Sequence, residues 1–206
     1  MTKVDLKRDQ RALYAPPTGR YVEVDVPAMR FLAVEGSGRP DSPAYQQAVE
    51  ALFAAAYAAK FLSKGELDRD YVVLPLEGLW WADDMATFRT REKDRWSWRM
   101  LIRQPDWLDE RTLAAAVDKA RSKGRDPEGL LQVFELEEGR CLQTLHLGSY
   151  DDEGPSLAYL HDEYLPERGL RPTGLHHEIY LSDARRVAPD KLRTILRQPV
   201  APAFRQ

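Results

Sequence analysis

The chain has 206 residues, a formal net charge of −3 and 43% hydrophobic residues, enough to bury the core of one large domain or of two fused small ones. The near-balanced charge gives no general reason to expect nucleic acid or an acidic membrane as a partner, and no apolar run is long enough to cross a bilayer. The single cysteine, Cys141, excludes an internal disulfide and a cysteine-rich metal site. Because no apolar signal segment follows Met1, we expect a cytoplasmic protein.

The first half of the chain predicts the order strand, strand, helix, strand, strand. After an N-terminal extension, residues 1–19, two β-rich runs suggest a hairpin. Ser42 can cap a helix that has Pro43 in its first turn and Tyr45 on its apolar stripe. Two later runs are rich in β-branched and aromatic residues or alternate polar with apolar side chains. The predicted strands cover residues 20–26, 28–35, 71–81 and 95–102.

The second half predicts the same order of elements. A helix over 109–123, which ends at Gly124, joins the halves. Two strands are expected to form a hairpin around Glu138-Gly139, and a second helix begins near Gly154-Pro155. The strands of this half cover residues 131–137, 140–147, 176–181 and 192–198.

Two short repeats also suggest a duplication. Residues 100–105 resemble 194–199, and residues 33–38 resemble 145–150. Neither half alone can cover both faces of its sheet, so the halves should pair. The sequence therefore predicts an α+β fold in a single domain, residues 20–206, built from two βαββ units at about 20–106 and 128–200.

The strand over 176–181 carries the sharpest candidate for chemistry. Alternation places His176, Glu178 and Tyr180 on one face and His177 and Ile179 on the other. Enclosed by aromatic rings, Glu178 would lose hydration and its pKa would rise, so that it could act as a general base or pair with a cation. Tyr180 could donate to a ligand carbonyl, and His176 could orient Glu178 or shuttle a proton. The alternative to a functional site is a solvent-exposed strand face on which Glu178 is an ordinary solvated glutamate.

Four tryptophans on two neighbouring strands could form the wall of a ligand site, because aromatic rings bind flat ligands by stacking and cations through the ring quadrupole. The side chains of two adjacent tryptophans face opposite ways, so at most one enters a given cleft. Ordinary core packing is the alternative for at least one or two of the four. Glu77 lies beside them as a second acid candidate, and Tyr45 is either a ligand contact or core. The four are Trp80, Trp81, Trp96 and Trp98.

Two other kinds of site are weaker. His176 and Glu178 with His146 or His161 could suggest a metal, but no third ligand is marked, and we expect neither a metal nor another cofactor. Basic residues between 89 and 103, interleaved with tryptophans, could suggest a nucleic-acid surface. Acidic residues dilute that charge, so a solvated hairpin is favoured.

The element order, together with LEGLWW at residues 76–81 and HEIYL at 177–181, resembles the GyrI-like small-molecule-binding family over roughly residues 20–200. That family includes ligand domains of multidrug-responsive transcription activators and stand-alone gyrase-inhibitor-like proteins. The resemblance implies two βαββ units side by side, with helices behind and a ligand cleft between them. Regulators of the family carry a helix-turn-helix domain, for which the roughly twenty residues before the first strand are too few. Direct nucleic-acid binding is therefore not expected.

One stand-alone branch with such a tryptophan pair hydrolyses cyclopropane-bearing DNA-alkylating natural products. The resemblance implies a planar aromatic small molecule as partner, stacked by Trp80 or Trp81, with Glu178 activating water and Tyr180 orienting it or donating to oxygen. Further ligand contacts are then expected from Trp98, His176, Tyr45 and Glu77. The alternatives are a non-catalytic sequestering protein for planar or cationic aromatic compounds and a gyrase-inhibitor-like interaction module. The sequence sets no oligomeric state.

Overall fold

The computed structural model describes residues 3–84 and 86–203, apart from the side chain of Arg89. The predicted extension therefore begins, and the predicted domain ends, outside the described residues. Within them, nine strands join in one sheet whose strand pairings are all antiparallel. The predicted α+β class is confirmed. The strands are β1 (Val22–Val26), β2 (Met29–Ser37), β3 (Leu76–Trp81), β4 (Ser97–Arg103), β5 (Gln132–Leu136), β6 (Gly139–Leu147), β7 (Leu170–Pro172), β8 (His176–Tyr180) and β9 (Arg193–Pro202).

Helices of very different length accompany the sheet. The longest begins at the Ser42 cap, whose Oγ accepts a hydrogen bond from the Tyr45 backbone N–H at 3.2 Å, as the sequence predicts. The second half has instead two short helices joined by a π-helical turn, Tyr159–Tyr164. None of the helices in the described ranges is long and apolar enough to cross a membrane. The helices are α1 (Leu6–Asp9), α2 (Arg11–Tyr14), α3 (Pro43–Glu66), α4 (Ala86–Thr90), α5 (Glu110–Ser122), α6 (Gly154–Ala158) and α7 (Leu165–Glu167).

The strand order is β1-β6-β9-β8-β3-β4-β2-β5, with β7 beside β9. Both predicted hairpins, 20–26 with 28–35 and 131–137 with 140–147, are therefore wrong, because β1 pairs with β6 and β2 with β5. A two-residue hairpin needs positive φ angles in its turn. Pro27-Ala28 does not supply them, since non-glycine residues with positive φ in the described chain are Asp68 and Arg91. The chain therefore runs on from β1 into β2 and crosses to the other half.

The two halves use corresponding strand pairings. Phe31 of β2 pairs with Arg103 of β4, and Gln143 of β6 pairs with Arg197 of β9. Phe31 and Gln143 precede the Gly-Ser pairs of one sequence repeat by equal distances, while Arg103 and Arg197 occupy the same place in the other repeat. The repeats thus fall at matching points of the sheet. That the halves superpose as βαββ units stays a prediction.

Helices cover one face of the sheet. The small residues of α3, such as Ala51 and Ala55, allow close packing on β2 and β4 in a core that includes Trp98 and Met100. Leu160 and Leu165 of the second-half helices pack in a separate cluster with residues of β6 and β9. The central strands β3 and β8 lie between these two helical regions, and their helix-side residues form the candidate site.

The N-terminal segment covers part of the other face. Leu13 and Tyr14 of α2 join the apolar cluster that contains Ile179 and Ile195. The backbone carbonyl of Leu13 accepts a hydrogen bond from Arg197 Nη2 at 2.8 Å. The predicted extension is thus integrated into the core of the fold.

A buried ion cluster connects three strands and a loop on this second face. His177 is fully buried, with Nε2 2.9 Å from Glu77 Oε2 and Nδ1 3.0 Å from Glu138 Oε2. Arg197 Nη1 donates to the same Glu138 oxygen at 3.3 Å. Burial alone would lower the pKa of His177, but the two carboxylates outweigh it and raise that pKa to about 9. His177 is therefore a cation held between two anions.

Candidate functional site

The candidate site is formed by the helix-side residues of β3 and β8. His176, Glu178 and Tyr180 are half-buried there, whereas His177 and Ile179 are fully buried on the other face, as the alternation predicts. Residues opposite each other in an antiparallel pair share a face, and Gly78 lies opposite Glu178. The missing side chain at Gly78 lets the side chains of Trp80 and Tyr180 lie close to the sheet beside Glu178.

A chain of two hydrogen bonds fixes Glu178. Trp80 Nε1 donates to the Tyr180 hydroxyl at 2.9 Å, and that hydroxyl donates to Glu178 Oε2 at 2.8 Å. His176 Nε2 lies 3.5 Å from the other carboxylate oxygen, too far for a good hydrogen bond. The hydroxyl proton of Tyr180 is thus used by Glu178. Tyr180 is better described as a positioning residue for the carboxylate than as a free donor to a ligand.

Three tyrosines interact with this carboxylate, Tyr180 through a hydrogen bond and Tyr45 and Tyr150 electrostatically. Burial raises the pKa of Tyr45, Tyr150 and Tyr180, and the negative charge of Glu178 raises each of them further. For Tyr150, where the charge of Glu153 also contributes, the pKa reaches about 12. The Tyr150 ring meets the Tyr180 ring edge-on, with centroids 5.5 Å apart. All three phenols are therefore neutral at physiological pH and present rings and hydroxyl groups around one carboxylate.

Glu153 is a second carboxyl group beside Glu178. It lies directly before α6 and is only 4% exposed, and its Oε1 has no hydrogen-bond partner among the described residues. Burial, followed by the charge of Glu178, raises the pKa of Glu153 well above its ordinary value. The site therefore holds two carboxyl groups in different environments.

The tryptophans contribute less open surface than the sequence suggests. Trp80 is 5% exposed, with the Trp96 ring edge-on at 5.9 Å and the Tyr45 ring nearly parallel at 6.2 Å. Trp98 is buried against Gly36, where any side chain would collide with it. Trp80 thus holds Tyr180 in place through its hydrogen bond, and Trp98 belongs to the hydrophobic core. Tyr45, which is half-buried, is a residue of α3 whose hydroxyl group interacts electrostatically with Glu178.

Two predicted ligand contacts lie on the opposite face. Strand alternation, which separates Trp81 from Trp80, leaves Trp81 beside Arg99, whose guanidinium lies 6.0 Å from a Trp81 ring centroid. Glu77 is 1% exposed and belongs to the ion cluster with His177. The sequence predicts that Glu77 and Trp81 contact a ligand together with Glu178. They lie instead on the opposite face of the sheet from Glu178 and do not line the same site.

Sequence reasoning missed Tyr150 and Glu153. Both follow β6 directly, in a short 3-10 turn and the residue after it. The repeat that aligns Gly36-Ser37 with Gly148-Ser149 was the available signal. Because Tyr45 follows the first copy at the start of α3, residues following the second copy should also reach the helix-side face.

Other features of the described chain do not add to this site. No group of three or more His, Cys, Asp or Glu side chains in residues 3–84 and 86–203 could hold a metal ion. A cavity of about 430 Å³ lies between residues 18–21, β6 and the start of α6, and Glu178 does not line it.

Gly78→Ala should disrupt the site. A Cβ at Gly78 would lie 2.9 Å from Trp80 Nε1 and 3.0 Å from the Tyr180 hydroxyl, so the hydrogen bonds that hold Glu178 must shift. Overpacking of this kind costs about 1–3 kcal/mol of unfolding free energy. Urea unfolding measures that cost, and the change in ligand affinity measures the displacement of Tyr180.

Gly65→Ala is the matched control, since a Cβ there meets nothing within 4 Å and lies in α3. It should be neutral or stabilise the protein by up to about 1 kcal/mol. Equal stability and affinity of Gly78→Ala and the parent would contradict the role given to this glycine.

Comparisons with known proteins agree with the fold. A crystal structure of an uncharacterised conserved protein from Listeria innocua is 40% identical and superposes with a TM-score of 0.87, covering 97% of this chain and 100% of that one. A hydrolase from Listeria innocua is 39% identical at the same coverage, with a TM-score of 0.82. The EcmrR C-terminal domain, 12% identical with a TM-score of 0.58 over 89% of this chain and 98% of that one, shares the fold alone.

No curated protein matches the sequence significantly. The model of the GyrI-like small molecule binding domain matches residues 20–201, nearly the whole chain. The resemblance carried by the Glu178 strand and the tryptophan pair is thereby confirmed, and the chain belongs to the GyrI-like small-molecule-binding family.

Proposed function

We propose that the protein is a hydrolase that adds water to the strained cyclopropane of planar, DNA-alkylating electrophiles and so detoxifies them. The observation that carries the proposal is the hydrogen-bonded chain Trp80–Tyr180–Glu178, which presents a fixed carboxylate on the helix-side face. Two Listeria innocua structures described as hydrolases, 39% and 38% identical, add support. The free, buried Cys141 fits action in the reducing cytoplasm.

The chemistry needs little beyond positioning. In a cyclopropane conjugated to a dienone, water attacks a ring carbon, a carbon–carbon bond of the ring breaks, and its electron pair passes to the dienone oxygen. That oxygen takes up one proton and becomes the hydroxyl group of a phenol, which balances the proton that the attacking water loses. Glu178 takes a proton from the attacking water as the new carbon–oxygen bond forms. The Tyr180 hydroxyl, fixed by Trp80, holds the Glu178 carboxylate in place. Neither a metal nor a nucleotide takes part in this scheme.

The half-buried rings of Tyr45 and Tyr180, with the exposed ring of Tyr150, provide the contact surface for a planar substrate. Flat aromatic molecules gain affinity from area burial and from offset or edge-on ring contacts. All three phenols are neutral, so they can contact an uncharged dienone without a charge penalty. A partner of this chemistry, a planar aromatic small molecule, fits the site better than a flexible polar one.

The second candidate function is a non-catalytic binding protein for planar aromatic cations. The same ring of three tyrosines around Glu178 favours it, because a cation gains from ring faces and from a carboxylate of low exposure. The two functions differ in product formation rather than in binding.

Incubating the full chain with a spirocyclopropane dienone in ¹⁸O-labelled water tests the proposal. We expect a phenol product that has gained one water molecule and carries the label on the former ring carbon, detected by mass spectrometry. Glu167→Gln, which alters an exposed carboxylate, serves as the control and should keep the parent rate. Tight binding without conversion would overturn the hydrolase and support the binding protein.

A further inference from the structure

The second carboxyl group of the site has an environment of its own. Glu153 reaches the helix-side face from the residue before α6, and Thr194, which pairs with Tyr180 across β8 and β9, faces the same side. Neither Glu153 Oε1 nor Thr194 Oγ1 makes a hydrogen bond of good geometry among the described residues, although the Thr194 hydroxyl is close enough to lower the pKa of Glu153. Buried polar atoms are rarely left without a partner, so these two atoms indicate a place for a polar ligand atom or water.

We propose that Glu153 is the general acid of this site: a carboxylic acid that donates its proton to the substrate oxygen that becomes the phenol, while Glu178 acts as the base. The inference deepens the proposed hydrolysis and rests on it. It assigns the two carboxyl groups opposite tasks in one reaction.

The proton balance of the reaction closes with these two groups. Water loses a proton to Glu178 as its oxygen bonds to the ring carbon. The electron pair of the broken carbon–carbon bond moves through the dienone to its oxygen, which takes the proton of Glu153. At the end Glu178 is protonated and Glu153 is ionised. Transfer of one proton from Glu178 to Glu153 restores the starting state without any other reactant.

Different surroundings explain why Glu153 holds the proton. Glu178 accepts a hydrogen bond from Tyr180, whereas Glu153 is only 4% exposed, and the raising effect of its burial outweighs the lowering effect of the nearby Thr194 hydroxyl on its pKa. Two neighbouring carboxylates cannot both ionise cheaply, so one proton stays in the pair, and burial raises the pKa of Glu153. The titratable and charged groups that interact with Glu153 are Tyr21, Arg91, Tyr150, Asp151, Glu178 and Tyr180.

The first measurement does not depend on turnover. The infrared carbonyl band of a protonated carboxylic acid should be present in the full chain at neutral pH and absent in Glu153→Gln. Glu167→Gln should keep the band, since it changes an exposed residue. Persistence of the band in Glu153→Gln would show that another group carries the proton and would overturn the assignment.

The second measurement uses turnover of two spirocyclopropane dienones whose phenol products differ in acidity. Glu153→Gln should lower the rate by about a hundredfold or more for the less acidic phenol. The loss should shrink for the more acidic phenol, whose oxygen needs less help from an acid. The rate of the parent should fall as the pH rises and Glu153 ionises, whereas the rate of Glu153→Gln should not show this fall. A merely structural role would slow both substrates equally and keep the parent's pH profile.

The outcomes separate this inference from the proposed hydrolysis. If the parent converts both dienones and Glu153→Gln is as fast, or equally slow on both, the hydrolase stands and the acid role of Glu153 fails. If the parent converts neither dienone, the hydrolase and the donor role fail together, whatever the infrared band shows. Loss of the band combined with substrate-dependent loss of rate supports the acid–base pair.

Discussion

Glu178→Gln should lower the turnover of a cyclopropane substrate by about a hundred- to ten-thousandfold and leave ligand affinity nearly unchanged. The amide keeps the shape of the acid, and its oxygen can still accept the Tyr180 hydrogen bond that is 2.8 Å long in the parent. The amide cannot take a proton from water, so only the rate of the chemical step should decrease. Single-turnover rates and equilibrium binding, measured on the same protein, separate the two effects.

Two tryptophan variants are the matched comparison for Glu178→Gln. Trp80→Ala removes the donor that holds Tyr180, so both affinity and turnover should fall. Trp81→Ala changes the next residue on the same strand, whose side chain lies on the opposite face, and should leave both close to the parent. A Glu178→Gln variant that turns over as fast as the parent would mean that the base lies elsewhere.

His177→Gln should lower the unfolding free energy by about 3–5 kcal/mol. The reason is that it leaves the carboxylates of Glu77 and Glu138 buried without their shared cation, while Glu138 keeps its ion pair with Arg197. Breaking a buried pair by removing one partner is costly because the remaining charge has lost its water as well. Urea unfolding at neutral pH measures the difference in unfolding free energy.

This contribution should depend on pH in a definite direction. The pKa of His177 is raised in the folded state from 6.5 to about 9. Its stabilising effect is therefore fully present below about pH 6.5 and is lost as the pH rises through 9. The difference in unfolding free energy between the parent and His177→Gln should decrease as the pH rises from about 6.5 to 9. His176→Gln, on the half-buried face of the same strand, should cost only about 1 kcal/mol. An equal cost for both histidines would contradict the ion cluster.

Local patterns predicted the parts of this molecule that depend on local geometry. The two-residue period of a strand placed Glu178 and Tyr180 on one face and His177 on the other, and the Ser42 cap placed the start of α3. The same rule correctly separated Trp80 from Trp81. These features need only the chain directly around each residue.

The features that the sequence did not predict depend on which distant segments meet. The strands flanking Pro27-Ala28 look like a hairpin, and nothing local indicates that their partners lie in the other half. Glu153 belongs to the site because the segment after β6 lies over β8 and β9. The raised pKa of Glu153 arises from burial and from the charge of Glu178, both of which exist only in the assembled fold.

The exchange of strands between the halves governs the order in which the chain can fold during synthesis. Val22 of β1 pairs with Gln143, and Met29 of β2 pairs with Leu136. The amino-terminal half therefore leaves the ribosome with β1 unpaired and with β2 able to pair only along the edge that contacts β4. Contacts this distant in sequence slow folding, and unpaired strand edges invite association with other chains. A nascent chain stalled before residue 132 would thus be open to aggregation or to a chaperone, and neither half expressed alone should reach a stable native state.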